Sequence, residues 1–444
     1  MDTFSVTRLA GTMVRPSEPT PTGSLGLSSI DKALRFRYRI LCVFRYGNEK
    51  AIEMMKKALA KALVPYYPFA GRLQESSHDD DDDGHHGELH ISCTGEGVWF
   101  VEASADCSLV DVNYFDDAPL EVHEKLMPNP TPETMALDPV LQVQITSFKG
   151  GGFVAGLVVS HSLCDGMGLA QFVHAVNELA MGLKRPSVEP VWLRESILPS
   201  PSQVTKKQTK AIPAPHMPNY QLKYALFDVP RDAIDHLKRE FSQSTGGETC
   251  TAFEVISAVM WRSRTRAINM PDSATVKLIY YANIRHLLDP PVPQGFYGNC
   301  IFPVTTAISS GWLKEASVGE VIKLVKDTKA RLPSNLNKWI NKSDHGEDHT
   351  DLMEEPFSAP LDYATFCLSG VEKLSKDSTD FGWGQTLHSF PIGLNHVTHP
   401  FVFLCAPPQP KTGIRLKTWC VEESHMPALH DELKIMLTNF NGTN

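Results

Sequence analysis

A histidine stands where a strand-like run gives out. Phe153 to Ser160 (FVAGLVVS) is a short, continuous apolar stretch suited to a strand buried on both faces, and His161 follows it directly. Open sheets place their ligands at the carboxyl ends of such strands. An imidazole there, with an unperturbed pKa of about 6.5, suits general-base work at neutral pH. Asp165 lies four residues on, and Gly166 and Gly168 predict a tight turn into a helix of about 14 residues that starts at Leu169. The HxxxD spacing carries little alone. With 17 histidines in the chain, about one such match is expected by chance, and His78/Asp82 inside an acidic run is one. On these residues, a packed histidine at a turn stands as the alternative.

The second signal is Asp380-Phe381-Gly382-Trp383-Gly384. Five specified residues, two of them aromatic, arise by chance on the order of once in several thousand chains. Glycines that permit unusual backbone angles, beside Phe and Trp that pack, describe a tight aromatic turn more readily than a reactive group. Other signatures are missing: there is no GxxxxGK[ST], HExxH or GxSxG. Gly150 to Ala155 spells GxGxxA, but it precedes its strand, the wrong context for a dinucleotide loop.

The elements that must carry these groups alternate between helical and strand periods, which predicts a mixed α/β protein. Residues 48–63 (NEKAIEMMKKALAKAL) read as an amphipathic helix ended by Pro65 and Pro68, 251–267 as a helix, 276–284 as a strand, and Pro290-Pro291 as a break. A proline-rich stretch at 185–218 predicts a crossover linker between an N-terminal domain (1–184) and a C-terminal one (219–444). Residues 342–355 and the acidic HDDDDDGHH run at 78–86 predict solvated loops. That run mixes His and Asp without defined ligand spacing, so no metal site is expected. The nine cysteines include no CxxC pair and mostly flank apolar residues, as small buried thiols do.

Composition excludes several classes. The 444-residue chain, with 42 Lys+Arg, 51 Asp+Glu and a net charge of −9, does not suit nucleic acid or an anionic membrane. Hydrophobic content of 42% and charged content of 21% are ordinary for globular domains. No apolar run approaches a membrane span, and the N-terminus shows no signal-peptide apolar region. These features lead us to expect a soluble, cytoplasmic monomer, and the sequons at 341–343 and 441–443 read as chance matches.

Together, HSLCDG (161–166) and DFGWG (380–384) resemble the two hallmark motifs of the plant BAHD acyltransferases, which use coenzyme A thioesters. LSSID (27–31), LVPYYPFAGRL (63–73), TAFEVISAVMWRSRTRA (251–267) and NIRHLLDPPVPQGFYGN (283–299) are similar along the whole chain. CTGEGVWFVEASAD (93–106), GGFVAGLVVSHSLCDGMGLAQF (151–172) and EPVWLRE (189–195) resemble the branch holding benzyl alcohol benzoyltransferases and taxane acyltransferases.

The resemblance implies two similar-sized α/β domains of the chloramphenicol acetyltransferase type, with a channel between them reaching His161. It also implies acyl-CoA as co-substrate, an alcohol or amine acceptor, and no permanent cofactor. His161 would take the acceptor proton, and no covalent acyl-enzyme forms, consistent with the missing nucleophile elbow. Acetyl or benzoyl transfer to oxygen is favoured. Transfer to an amine, a hydroxycinnamoyl donor and a non-catalytic interaction protein are the rivals. Asp165 is expected to point away from the channel and to pair with Arg285. Asp380 is counted with the family's catalytic pair, although its setting with Phe381, Gly382, Trp383 and Gly384 favours a structural role. Many hydroxycinnamoyl-transferring members carry Thr-x-Trp before DFGWG. Ser369 and Val371 stand at those positions here, which leaves the oxyanion stabiliser unassigned. Arg262, Arg264 and Arg266 are the candidates for CoA phosphates, with a solvated helix face as the plainer reading.

Overall fold

The computed structural model describes residues 4–47, 49–76, 89–131, 138–194, 220–341, 357, 361–371, 386–393 and 399–438. The acidic run 78–86, the loop 342–355, most of the proline-rich stretch and the whole of DFGWG lie outside the described residues. The chain divides into two compact units. The first comprises Met1–Gln203, Ile284–Ile301 and Leu374–Gly393, and the second Val204–Asn283, Phe302–Lys373 and Leu394–Asn444.

The first unit carries β1 (Val6–Arg8), β2 (Thr12–Val14), β3 (Gly23–Gly26), β4 (Arg37–Phe44), β5 (Arg72–Glu75), β6 (Leu89–Cys93), β7 (Val98–Ser108), β8 (Leu141–Lys149) and β9 (Gly152–Ser160). The second carries β10 (Leu222–Val229), β11 (Thr275–Asn283), β12 (Ile301–Ser309) and β13 (Thr365–Gly370). Next along the chain, β14 (Thr386–Ile392) belongs to the first unit, and β15 (Phe401–Cys405) and β16 (Ile414–Glu422) to the second.

In the first unit a mixed sheet runs β1-β7-β8-β9-β4-β14, with β2 also on β7, beside a small β3-β6-β5 sheet. Residues Ile284–Ile301 and Leu374–Gly393 make the units discontinuous in sequence, unlike the contiguous halves 1–184 and 219–444. The reason is long-range bonding: β14 pairs antiparallel with β4, from Thr386 opposite Phe44 to Ile392 opposite Arg39.

The apolar run expected at 153–160 forms β9, and both its faces are covered, because side chains alternate along a strand. On one face Phe153, Ala155 and Val159 join Met55 and Leu59 of the Glu49–Ala62 helix and Leu169 and Phe172 of the Gly166–Ala180 helix. On the other, Val154 packs with Leu41, Val43, Leu126 and Phe390. Gly150 and Gly151, both at positive φ, form the β8–β9 hairpin turn, so the GxGxxA match marks a hairpin.

The second unit has a sheet ordered β10-β16-β15-β13-β11-β12, parallel across β11, β13 and β15. Its Ala252–Ile268 helix starts with a capping box in which Thr251 and Glu254 bond each other's backbone N–H. This helix is enclosed almost all round, from Glu254 to Thr265 without a break. The described cysteines are unoxidised thiols, six of them buried. Among the described residues no helix is long and apolar enough to cross a membrane, and no group of three His, Cys, Asp or Glu side chains is placed to hold a metal ion.

Candidate active site

β9 ends at Ser160, and His161 begins the turn that leads to the Gly166–Ala180 helix. That helix begins three residues earlier than its apolar pattern indicates, because Asp165 is its N-cap and accepts from Gly168 N–H at 2.9 Å. Gly166 and Gly168 therefore sit in the first helical turn and do not form the turn before it. Gly168 is needed for close packing: a Cβ there would stand 1.9 Å from the Tyr297 carbonyl oxygen.

The Asp165 carboxylate is turned into the protein and 3% exposed. Arg285 clasps it with two bonds, Nη1 to Oδ2 at 2.7 Å and Nη2 to Oδ1 at 2.9 Å. Cys300 N–H donates to Oδ2 at 3.1 Å, and Arg285 Nη2 also donates to Gly298 O at 2.7 Å. Burial pulls the Arg285 guanidinium down, but Asp165 outweighs it and holds the group above its ordinary pKa. Asp165 thus joins the helix start, the 285 turn and residues 298–300, and no capacity is left for it to act as a base. Two bonds from a planar guanidinium are the strong form of this pair.

His161 is half-buried and gripped on several sides. Its N–H donates to Phe36 O at 2.8 Å, and its ring packs against those of Phe36 and Tyr38, each centroid 4.9 Å away. Its Nδ1 lies 3.0 Å from Asn299 Oδ1. The orientation of that amide is determined by its other end: Asn299 Nδ2 donates to Asp31 Oδ1 and to His161 O, both at 2.7 Å. Flipping the amide would set its oxygen against two acceptors. Oδ1 therefore faces the ring, Nδ1 carries the proton, and Nε2 keeps its lone pair. Burial lowers the His161 pKa below 6.5, and this is only partly offset by Asp165, its own backbone and Asn299. The ring is neutral at neutral pH, with Nε2 as the basic atom.

Asp31 is itself held. It lies at the N3 position of a capping box, where Ser28 N–H and Oγ–H donate to Oδ2 at 3.0 and 2.8 Å. Arg194 Nη1 reaches the same oxygen at 3.0 Å, with both side chains 0% exposed. Arg194 also donates to the carbonyls of Ser162 and Leu163 on the His161 turn and lies 3.9 Å over the Trp192 ring. Periodicity did not single out Asn299, Asp31, Arg194, Phe36 or Tyr38. Three of them fall inside segments that carry the family resemblance, LSSID, GFYGN and EPVWLRE, and no local spacing ties these to His161.

The three arginines of the 251–267 helix, the candidates for CoA phosphates, are held by backbone carbonyls of the second unit. Arg262 and Arg264 are buried, and Arg266 is partly exposed. Arg262 Nε donates to Ala316 O at 2.6 Å. Arg264, 0% exposed, donates to Cys420 O and Tyr363 O at 2.7 and 2.5 Å. Arg266 Nε donates to Lys314 O at 2.7 Å, and its Nη1 lies 3.6 Å from Glu432. Burial lowers the pKa of Arg262 and Arg264. Each guanidinium thus gives its Nε donor to a backbone carbonyl beside a helix that is enclosed almost all round. Ser369 lies in β13, and Val371 N–H is taken by Leu404 O at 2.8 Å. Asp380, Phe381, Gly382, Trp383 and Gly384 are outside the described residues.

The site thus presents a neutral imidazole with an oriented Nε2, in an α/β protein of two sheet-and-helix units, and among the described residues no serine or cysteine side chain is bonded to the ring. A family model described as the Transferase family matches residues 4–435. The chain belongs to that family, the plant BAHD acyl-CoA-dependent acyltransferases. Acyl transferase 4 of Oryza sativa subsp. japonica is 38% identical, covering 97% of this chain and 99% of its own. A Crocosmia x crocosmiiflora protein, myricetin 3-O-glucosyl 1,2-rhamnoside 6'-O-caffeoyltransferase AT2, is 37% identical over 97% and 99%. The 3'-N-debenzoyl-2'-deoxytaxol N-benzoyltransferase of Taxus canadensis is 29% identical over 98% and 97%. Among solved structures, vinorine synthase superposes with a TM-score of 0.72 at 18% identity, covering 98% of each chain. F. sporotrichioides TRI101 complexed with coenzyme A and T-2 superposes at 0.69 and 14% identity, covering 92% of this chain and 97% of its own. The fold is the chloramphenicol acetyltransferase-like one.

Proposed function

We propose that this protein transfers an acyl group from acyl-CoA to a hydroxyl of a plant specialised metabolite, with His161 as general base. The observation that carries this reading is the Asn299 amide, which holds the proton on His161 Nδ1 and leaves Nε2 free. In the reaction, Nε2 takes the hydroxyl proton as the acceptor oxygen bonds to the thioester carbonyl carbon. The tetrahedral intermediate then breaks its carbon–sulfur bond, and the leaving thiolate receives the proton from the imidazolium, which restores the neutral ring. Acyl-CoA is a co-substrate and no resident cofactor takes part. The bidentate Asp165–Arg285 pair keeps the turn in place without touching the reacting atoms. The hallmark Asp380 keeps the structural role that its aromatic, glycine-rich setting supports.

Acetyl and benzoyl remain the favoured donors, because Ser369 and Val371 replace the Thr-x-Trp pattern. A hydroxycinnamoyl donor is the second reading, favoured by the caffeoyltransferase relative at 37% identity. Nitrogen acylation uses the same proton transfer, and an N-benzoyltransferase stands among the relatives at 29%.

The test is thiol release by wild type and His161→Ala, given acetyl-, benzoyl- and p-coumaroyl-CoA with a panel of alcohols and amines. Release that requires both an acceptor and His161 is the expected result. Release that persists in folded His161→Ala would overturn the general-base assignment.

A further inference from the structure

The two aromatic rings that flank His161 differ in their settings. The β4–β9 pairing, which ends with Arg37 opposite Ser160, continues one step further in the bond from His161 N–H to Phe36 O. Phe36 and His161 are therefore cross-strand neighbours, and Tyr38, two residues along, lies on the same face. Both rings meet the imidazole at 4.9 Å between centroids, Phe36 inclined by 55° and Tyr38 by 63°. Tyr38 is turned inward. Its hydroxyl lies 3.5 Å from Sγ of the fully buried Cys164, and burial pushes the phenol well above its ordinary pKa. Phe36, by contrast, is 49% exposed.

A single exposed apolar side chain is ordinary and carries nothing by itself. Of the exposed aromatic side chains among the described residues, Phe36, Tyr46 and Trp312, only Phe36 packs on the base. Its carbonyl and its ring are both tied to His161, so its place follows that of the imidazole. The ring centre is no more than about 6 Å from Nε2, within the range over which aromatic rings interact. A hydroxyl bonded to Nε2 stands about 2.8 Å from it. The carbinol carbon and the group it carries are then the part of an acceptor that reaches Phe36. The acyl carbon waits about 3–3.5 Å beyond that oxygen until the bond forms, one contact farther from the base. The guanidinium groups on either side of Phe36 are occupied, Arg35 by Glu75 at 2.6 Å and Arg37 by Asp138 at 3.5 Å. What this edge of the site offers a substrate is therefore the open half of an aromatic ring.

We infer that Phe36 is a specificity-determining residue, and that the acceptor is an alcohol with an aromatic ring within about three carbons of the reacting hydroxyl, packed on the exposed part of the Phe36 ring. The inference rests on the acyl-transfer reading of His161. Tyr38 holds the inner side of the imidazole, and Phe36 selects what lies on its outer side.

The test compares alcohols matched in carbon count: benzyl alcohol with cyclohexylmethanol, 2-phenylethanol with 2-cyclohexylethanol, and 3-phenylpropanol with 3-cyclohexylpropanol. Thiol release from acetyl-CoA, a donor without a ring, is read for wild type, Phe36→Leu and Phe36→Tyr, with thermal unfolding as the check on folding. The ratio of aryl to cyclohexyl kcat/KM within each protein cancels any general effect of the substitution on His161. Wild type should favour the aryl alcohol about fivefold at the best length, Phe36→Leu should bring the ratio to about one, and Phe36→Tyr should keep it. Ligand-observed NMR titration of the same pairs, with free CoA present, reads binding without turnover. An aryl preference in binding that depends on Phe36, with no His161-dependent thiol release from wild type, would sustain the role of Phe36 and sink the acyl-transfer reading. A ratio unchanged by Phe36→Leu, or lost equally in Phe36→Tyr, would overturn the inference. So would a wild type that favours neither alcohol in turnover or binding. A preference for benzoyl- over acetyl-CoA that Phe36→Leu abolishes while the acceptor ratio stays would overturn it too, by giving the ring to the donor.

Discussion

Asn299 Oδ1 stands 3.0 Å from His161 Nδ1, across 138 residues of chain, and the same amide is anchored at its other end by the buried carboxylate of Asp31. The imidazole is therefore set in one tautomer by a group that is itself oriented by a charge. Three links follow in order: Arg194 neutralises and positions Asp31, Asp31 orients Asn299, and Asn299 orients His161.

Removing the Asn299 amide, which makes the last two links, should impair the base without removing it. Asn299→Ala is expected to lower kcat/KM about 100-fold, within the range for a positioned general base. Nitrogen NMR of the His161 ring should show a mixture of tautomers in place of the single Nδ1–H form. A variant of full activity with one tautomer would show that Asn299 does not set the ring.

The pH dependence follows from burial of the ring. Because burial lowers the His161 pKa below 6.5, the acid limb of kcat/KM should fall below pH 6.5, with a plateau through neutrality. The same displacement acts on stability. Below pH 6.5 the unfolded chain takes up a proton that the folded ring resists, so stability declines as pH falls through that window. His161→Gln should remove this component, as measured by denaturant unfolding between pH 7 and about pH 5. An acid limb centred above 6.5 would contradict the assignment.

Asp165 should matter for folding more than for chemistry. Asp165→Ala leaves Arg285 unpaired in a buried setting and is expected to cost about 3–5 kcal/mol. Removing Arg285 as well should recover part of that loss, since the uncompensated charge goes with it. Urea unfolding of the two single variants and the double variant measures the coupling.

Gly168 offers a contest between helix propensity and sterics. Alanine within a helix normally gains up to about 1 kcal/mol over glycine. Here its Cβ would approach the Tyr297 carbonyl oxygen to 1.9 Å, so Gly168→Ala should instead destabilise by about 1–3 kcal/mol. A raised melting temperature would show that the backbone yields easily at this contact.

Arg264 provides the check on the phosphate assignment. Arg264→Met strips donors from Cys420 O and Tyr363 O and should cost about 1–3 kcal/mol in stability. The affinity ratio of CoA to 3'-dephospho-CoA should not change. A ratio shifted toward the dephosphorylated form would return Arg264 to the phosphate site.

Local chemistry was legible in the chain itself. The apolar run 153–160 could bury both faces only as an interior strand, Pro65 had to end the preceding helix, and the HSLCDG and DFGWG pair marked the family. Their signals lie within a few residues, where strand and helix periods act. Asn299 had no such mark, and neither did Asp31 and Arg194, because an amide, a carboxylate and a guanidinium become a relay only when strands and turns far apart in sequence bring them within 3 Å or so of each other. The burial of the arginines at 262–266 had no local mark for the same reason. Charged residues on a helix say solvent when the helix is at a surface, and the second unit's packing encloses this one from Glu254 to Thr265. The chain by itself determined the family and marked His161 as the candidate base. Tertiary structure decided which nitrogen of His161 is basic, since that depends on the partner its other nitrogen meets.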